Sequence, residues 1–380
     1  MKILYHHRIA SKDGQYVHIE EMIKSFRKLG HEVTIVGPSA VDNEEFGSDG
    51  GIISVLKRYI PKFIYEIIEF GYTLFVYIKL SKAVNKFGPD FIYERYNIYM
   101  PAGIWIKKRY KLPLLLEVNA PLFDERSKFN GIALPWLARW TERYTWNHAD
   151  HVLPVTQVLA DRIKHEGVIN ERITVIPNGI DPDKFNDYLN TDKAKKSLGL
   201  TGKLVLGFTG FMREWHGLEN VLAMLVGEGN ENRFLLLVGD GPAREGLINR
   251  ACQLGVTDRV LITGVIERDK IVDYVSAFDI ALQPDVVDYA SPLKLFEYLA
   301  LGRAIVAPAK ANILEVLTDG DDAVLFEPGN NQAFVLAIEK LCDDAELRYI
   351  VSKNAKQLIN IKKYFWDNNA SSVIDIYDRI

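Results

Sequence analysis

Short apolar runs recur along the first half of the chain at 3–6, 33–36, 91–93, 114–118, 152–155 and 173–176, separated by stretches whose apolar residues follow helical spacing. Such runs read as strands buried on both faces, and their alternation with helices is the βαβ rhythm of a parallel sheet. A second series at 204–208, 234–238, 260–262, 280–282, 304–306 and 324–326 repeats the rhythm. Between the two lies Pro177-Asn178-Gly179-Ile180-Asp181-Pro182-Asp183, where Pro, Asn-Gly and Asp-Pro crowd into one turn-rich linker. The pattern predicts an α/β protein with two doubly wound domains, 1–180 and 181–364, and a last helix, 365–380, that packs back onto the first. A length of 380 residues agrees, since it exceeds what one core usually organises.

Composition changes this picture little. Apolar residues make up 48% and charged residues 25% of the chain, as in a soluble globular protein. Cys252 and Cys342 lack metal or redox spacing and are too few for a disulfide framework, so a reducing cytoplasm is the expected compartment. The opening MKILYHHRIA is too brief for a signal-peptide core and reads as a first strand. A net charge of −4 argues against nucleic acid as a partner. The segment 57–86 has the opposite sign: Lys57, Arg58, Lys62, Lys79, Lys82 and Lys86 face only Glu66 and Glu69. Ile60, Ile64, Ile67, Leu74 and Ile78 recur there at helical spacing, with Phe63, Phe70, Phe75 and Tyr77. Two readings stay open, a long helix packed on a sheet and a basic amphipathic helix lying on the inner face of an anionic membrane. Its charges stand too close together for a span, which needs about twenty apolar residues.

Open α/β sheets bind ligands beyond the carboxyl ends of their strands, and two facing sheets make one deep cleft. The most informative stretch runs from Ser291 to Gly302. Ser291 as N-cap and Pro292 as first helical residue predict a helix start that leaves the amides of Leu293 and Lys294 facing outward, suited to a diphosphate. Lys294 adds a positive charge. Glu297 sits among Phe296, Tyr298 and Leu299, where a carboxylate needs donors: two vicinal ribose hydroxyls, or a nearby Arg or Lys.

This stretch resembles the nucleotide-sugar signature of family 4 glycosyltransferases, retaining enzymes of the GT-B fold. Ala149-Asp150 through Thr156, Ile173 through Asp181 with Phe185, Phe208-Thr209-Gly210 through Trp215-His216-Gly217, and Val238-Gly239-Asp240-Gly241-Pro242 match that family in the same order. The resemblance covers nearly the whole chain and implies two Rossmann-like domains facing across a cleft that holds the donor. Glu297 matches the second of the family's paired glutamates, which binds the donor ribose, while the partner position is Tyr289, with Asp285 and Asp288 nearby. The family's diphosphate-binding Arg and Lys fall on Phe211 and His216, so Arg213 and Lys294 are expected to supply the charge beside the Gly210 loop, with help from His216 if protonated. Gly264, Val265 and Ile266 follow a strand where the family cradles the base. In the first domain Gly14, within Ser11-Lys12-Asp13-Gly14-Gln15, stands where the family often has a Gly-rich loop, and Asn119 replaces a cleft His. Arg95 ends a strand, open either to an anionic acceptor or to a surface ion pair.

The reaction so implied is transfer of a sugar from a nucleoside diphosphate sugar to a hydroxyl of a saccharide or lipid-linked acceptor, with retention, in cell-surface polysaccharide or glycolipid synthesis. Same-face attack lets the leaving phosphate take the proton, so positioning and charge stabilisation by Arg213, Lys294 and Asn119 are the protein's work. No cofactor is required, and no metal is expected, because Asp181-Pro182-Asp183 imitates a metal-binding pattern within a linker turn. Two rivals remain. A catalytically silent nucleotide-sugar-binding protein is compatible with Tyr289 and Asn119. A nicotinamide oxidoreductase would use Gly239-Asp240-Gly241, which lacks the third glycine at Arg244.

Overall fold

The computed structural model describes residues 1–9, 14–38, 60–129, 131–186 and 190–380. The chain forms two compact units, one comprising Met1–Asn178, Tyr289–Ser291 and Trp366–Ile380, the other Gly179–Asp288 and Pro292–Phe365.

The first unit is built on β1 (Lys2–His6), β2 (Glu32–Val36), β3 (Phe91–Arg95), β4 (Leu114–Val118) and β5 (His151–Pro154). All pair in parallel in the order β2-β1-β3-β4-β5. Their centres are apolar on both faces because helices cover both: Ile3, Leu4, Phe91, Ile92, Leu115, Leu116 and Val152 are all buried. Toward the carboxyl ends the buried side chains include the polar His6, Glu94, Arg95 and Glu117. The run 173–176, expected as a further strand, is not one. It follows β5 through Thr174 N–H to the Val152 carbonyl (3.1 Å) and Ile176 N–H to the Pro154 carbonyl (2.9 Å). The next N–H in phase, that of Asn178, goes to the Ser291 hydroxyl (3.0 Å) and not to β5, so the ladder stops there.

Helix Trp366–Tyr377 lies in this unit against helix Gly14–Lys28. The Ser25 hydroxyl donates to Asp367 (2.7 Å), the Lys28 ammonium pairs with the same carboxylate (2.8 Å), and Tyr377 stacks on Phe91. The long helix Lys62–Phe87 ends at Gly88, whose φ of 61° is the left-handed cap that glycine adopts without strain. It turns Thr73, Val76, Leu80 and Val84 inward. Residues 57–59 of the expected basic segment lie outside the described residues. No helix among the described residues is long and apolar enough to cross a membrane.

The second unit carries β6 (Leu204–Thr209), β7 (Arg233–Val238), β8 (Val260–Ile262), β9 (Ile280–Leu282), β10 (Ala304–Pro308) and β11 (Val324–Phe326). They form one parallel sheet in the order β11-β10-β9-β6-β7-β8. The order reverses between β6 and β9, and such switch points are where doubly wound sheets bind ligands. At the start of this unit Asp181 accepts the Asp183 N–H (3.1 Å) and opens helix Pro182–Asn186, which gives that carboxylate a capping role.

Candidate functional site

Beyond the carboxyl end of β6 the chain turns at Gly210 (φ 123°) and runs through a short 3₁₀ turn, Glu214–His216, to Gly217. A second glycine makes this loop possible. A Cβ on Gly239, at the end of β7, would fall on the Gly210 carbonyl oxygen, and the Gly210 N–H donates to the Val238 carbonyl (2.9 Å). The Gly239-Asp240-Gly241 turn thus serves close packing of two strand-end loops; Asp240 accepts the Met212 N–H through its carbonyl (2.8 Å).

Helix Leu293–Ala300 faces this loop. Its N-cap is Pro292, not Ser291, and no side chain caps it. Pro292 keeps an extended ψ of 118°, so the helix begins one residue later than expected, and the Ser291 hydroxyl accepts the Asn178 N–H instead (3.0 Å). The helix is held to β6 by Tyr298, fully buried, whose hydroxyl accepts the Thr209 N–H (3.0 Å). Sequence reasoning missed this role; the signal was a tyrosine in an apolar helix, whose buried hydroxyl needs a partner.

Lys294 and Glu297 stand three residues apart on this helix, both half-buried. The Lys294 ammonium lies 4.0 Å from the centre of the Phe208 ring and covers Gly210. Among the described residues neither Lys294 nor Glu297 has a hydrogen-bond or ion-pair partner. Burial pushes the Lys294 ammonium down to about 7, against the pull of Glu297. Burial raises the Glu297 carboxyl, against the charges of Arg268, Lys294 and Lys184. Two unpaired, half-buried, oppositely charged groups make this switch point the candidate ligand site.

His216 does not fit the role of a cation. Its ring is buried against Phe208 and Trp215, and its Nδ1 accepts the Arg213 N–H (3.1 Å). Burial, then the charges of Lys294 and Arg213, push its pKa down to about 3. The neutral ring carries its proton on Nε2 and is a donor. Arg213 is exposed, its guanidinium 5.0 Å from the centre of the Phe211 ring. Gly264 pairs with Gly239 in an isolated bridge, and Val265 beside it is exposed. Asp285 is held by Lys310 (2.5 Å) and accepts the Val286 N–H, so it is not a spare carboxylate.

Tyr289 and Ser291 belong to the first unit. The Tyr289 carbonyl accepts the Thr156 hydroxyl (2.9 Å), and its ring stands 5.5 Å from the Arg162 guanidinium. Asn178 grips Ser291 twice, through its N–H and through Nδ2 to the Ser291 carbonyl (2.5 Å). Gly14 is the exposed first residue of its helix; residues 11–13 of its loop lie outside the described residues.

The strand ends of the first unit hold a charged cluster that sequence reasoning missed. Glu117, only 2% exposed, accepts from Tyr93 (2.9 Å), Arg95, Asn119 and His18 Nε2 (3.1 Å), with Tyr5 at 3.4 Å. Arg95 is therefore committed to a buried ion pair, neither a surface pair nor free for an acceptor, and Asn119 spends its Nδ2 on the same carboxylate. Burial raises the Glu117 carboxyl, but His18, Arg95 and the hydrogen bonds outweigh it and hold it well below the usual range. His18 Nδ1 lies 2.8 Å from the Asn178 side-chain oxygen, so both ring nitrogens have polar partners. The signal was Glu117 within the strand Leu114–Val118, since a charge there demands partners.

Two parallel-sheet units, one with unpaired charges at its switch point, define an α/β protein of GT-B architecture. Two family profiles account for most of the chain: Glycosyltransferase Family 4 over residues 12–184 and Glycosyl transferases group 1 over residues 190–358. The chain belongs to the family 4 type of glycosyltransferase. An uncharacterised glycosyltransferase of Methanocaldococcus jannaschii is 25% identical over 96% of this chain and 94% of its own. The alpha-D-kanosaminyltransferase of Streptomyces kanamyceticus is 25% identical over 65% of this chain and 66% of its own. Among solved structures, Anabaena HepE in complex with UDP superposes with a TM-score of 0.77 at 17% identity, over 100% of both chains.

Proposed function

We propose that this protein moves a sugar from a nucleoside diphosphate sugar to an acceptor hydroxyl with retention, in the synthesis of a cell-surface polysaccharide or glycolipid. The observation that carries the reading is the unpaired Lys294 and Glu297 at the switch point of the second sheet. Glu297 takes the ribose hydroxyls, while Lys294, Arg213, the amides at Pro292-Leu293-Lys294 and the Gly210 loop take the diphosphate. Neutral His216 adds a donor, and the backbone at Gly264-Val265 receives the base. Asn119, Tyr289, Ser291 and Gly14 are assigned to the sugar and acceptor side. A UDP-sugar is the donor to try first, since HepE is bound to UDP and to UDP-glucose. Incubation with a donor panel tests the reading: nucleoside diphosphate release that depends on an acceptor supports it, and binding without turnover would make the protein a silent binder. Working at the inner face of an anionic membrane is part of the same proposal.

Glu297→Ala is expected to weaken UDP binding by about 1.5–3 kcal/mol, the worth of hydrogen bonds to a charged acceptor. Calorimetry on the folded variant measures it, and unchanged affinity would make Glu297 structural.

The Lys294 ammonium also links binding to pH. In the free protein it loses its proton as pH rises through about 7. A diphosphate favours the protonated form, so binding above that pH draws in a proton and UDP affinity falls by up to about tenfold per pH unit. Calorimetry between about pH 7.5 and 9, in buffers of different ionisation enthalpy, reads the uptake. Lys294→Met should abolish it; uptake that persists in this variant would assign the proton to another group.

A further inference from the structure

The long helix Lys62–Phe87 is inside out for a helix on a soluble domain. Its charged residues between 63 and 78 are Glu66 and Glu69, and both are buried. Glu66 accepts the N–H groups of Ala133 (2.8 Å) and Leu134 (2.7 Å) at the start of helix Pro135–His148. Glu69 accepts both guanidinium nitrogens of Arg126 at 2.8 Å, and the Thr73 hydroxyl donates to the Tyr99 carbonyl (2.8 Å). The polar residues are thus consumed inside, while Phe63, Ile67, Ile68, Leu74, Phe75 and Ile78 are exposed, Leu74 by 61%. At 3.6 residues per turn these six share half the circumference. Lys79, Lys82 and Lys86 continue the same arc toward the carboxyl end, all exposed. The neighbouring helix extends the surface with Trp140, in ring contact with Phe70, and with Trp136, 68% exposed.

Single exposed apolar residues are ordinary, but a contiguous apolar face is an interaction site. We propose that this face inserts into the headgroup and upper acyl region of an anionic bilayer, with the helix lying in the membrane plane. The inference deepens the membrane part of the proposed function and is independent of the sugar chemistry. Three features select a bilayer. The lysines at one end of an uncharged band suit anionic headgroups beside an apolar layer. The tryptophans are the rings that favour a membrane interface. The arc presents no carboxylate, so a second copy laid across it would offer these lysines no counter-charge. Because the apolar band and not the lysines dominates the exposed arc, insertion should survive salt that removes purely electrostatic adsorption.

Vesicle flotation with the full chain tests this, using phosphatidylcholine vesicles with and without phosphatidylglycerol. Wild type is expected to float with anionic vesicles and to stay bound at about 1 M salt, where the screening length is roughly 3 Å. Ile67→Glu/Phe75→Glu is expected to lose flotation at any salt, while Lys82→Glu/Lys86→Glu weakens it mainly at low salt. Thermal melting and UDP affinity equal to wild type in the Ile67→Glu/Phe75→Glu variant would show an intact fold and nucleotide site, keeping this test separate from that of the transfer reaction. Flotation with neither vesicle, flotation abolished by salt yet indifferent to Ile67→Glu/Phe75→Glu, or a dimer in solution dissolved by those substitutions would each overturn the proposal.

Discussion

Lys294→Ala is expected to lower turnover by about 10²-fold or more, the usual cost of losing a well-placed electrostatic donor, while uridine affinity stays near wild type. Lys294 is half-buried and without a carboxylate partner among the described residues, and burial already pulls its pKa down to about 7. In the proposed reaction a diphosphate supplies the counter-charge that the protein withholds, and charge on the departing phosphate grows as the glycosidic bond breaks. The attraction is then larger in the transition state than in the ground state, which is the condition for an effect on rate beyond affinity. Arg213→Ala should act in the same direction but less strongly, because its guanidinium is exposed over Phe211 and its charge is better screened. Steady-state rates beside calorimetric affinities for uridine and UDP give the comparison. Near-normal turnover in Lys294→Ala and in the double variant would place the phosphates elsewhere.

The second large effect concerns folding. Glu117→Ala is expected to destabilise the protein by about 3–5 kcal/mol, because Arg95 would remain buried as a cation without its carboxylate and His18 Nε2 would lose its partner. Tyr93 and Asn119 would lose an acceptor as well. The pH dependence has a definite sign. The Glu117 carboxyl in the folded chain lies below its unfolded value, so its contribution is complete above the unfolded value, near 4.3, and is lost as pH falls toward the folded one. Urea denaturation of wild type and variant at neutral pH and at about pH 4 measures both effects. A loss under about 1 kcal/mol at neutral pH would mean that the cations find other partners or water.

Much of the fold was legible because strands buried on both faces leave an unbroken apolar signature, as at β4 and β7. The run 173–176 has the same signature, but its ladder to β5 stops where the Asn178 N–H turns to the Ser291 hydroxyl. Lys294 and Glu297 stood out as charges in an apolar helix. What could not be read depended on partners far away in sequence. Ser291 looked like a cap until Asn178 claimed its hydroxyl, and His216 looked like a cation until burial beside Lys294 held it neutral. The helix Lys62–Phe87 has apolar residues on both sides, so only the amides of Ala133 and Leu134 and the guanidinium of Arg126 decide which side faces in.

The polypeptide enters the first unit three times, as residues 1–178, as the three residues Tyr289–Ser291, and as the closing helix from Trp366. A gene cut after codon 180 would therefore not yield an autonomous half. Helix Gly14–Lys28 would lose Asp367 from Ser25 and Lys28 and the Trp366 ring from His18. Asn178 would lose both bonds to Ser291, and Thr156 its acceptor at Tyr289. Splitting the protein, or grafting one half onto a relative's other half, has to carry the closing helix with the amino-terminal piece. The short return segment in the middle of the chain cannot be carried that way by any single cut, so chimaeras between relatives should inherit residues 289–291 from the parent that supplies Asn178.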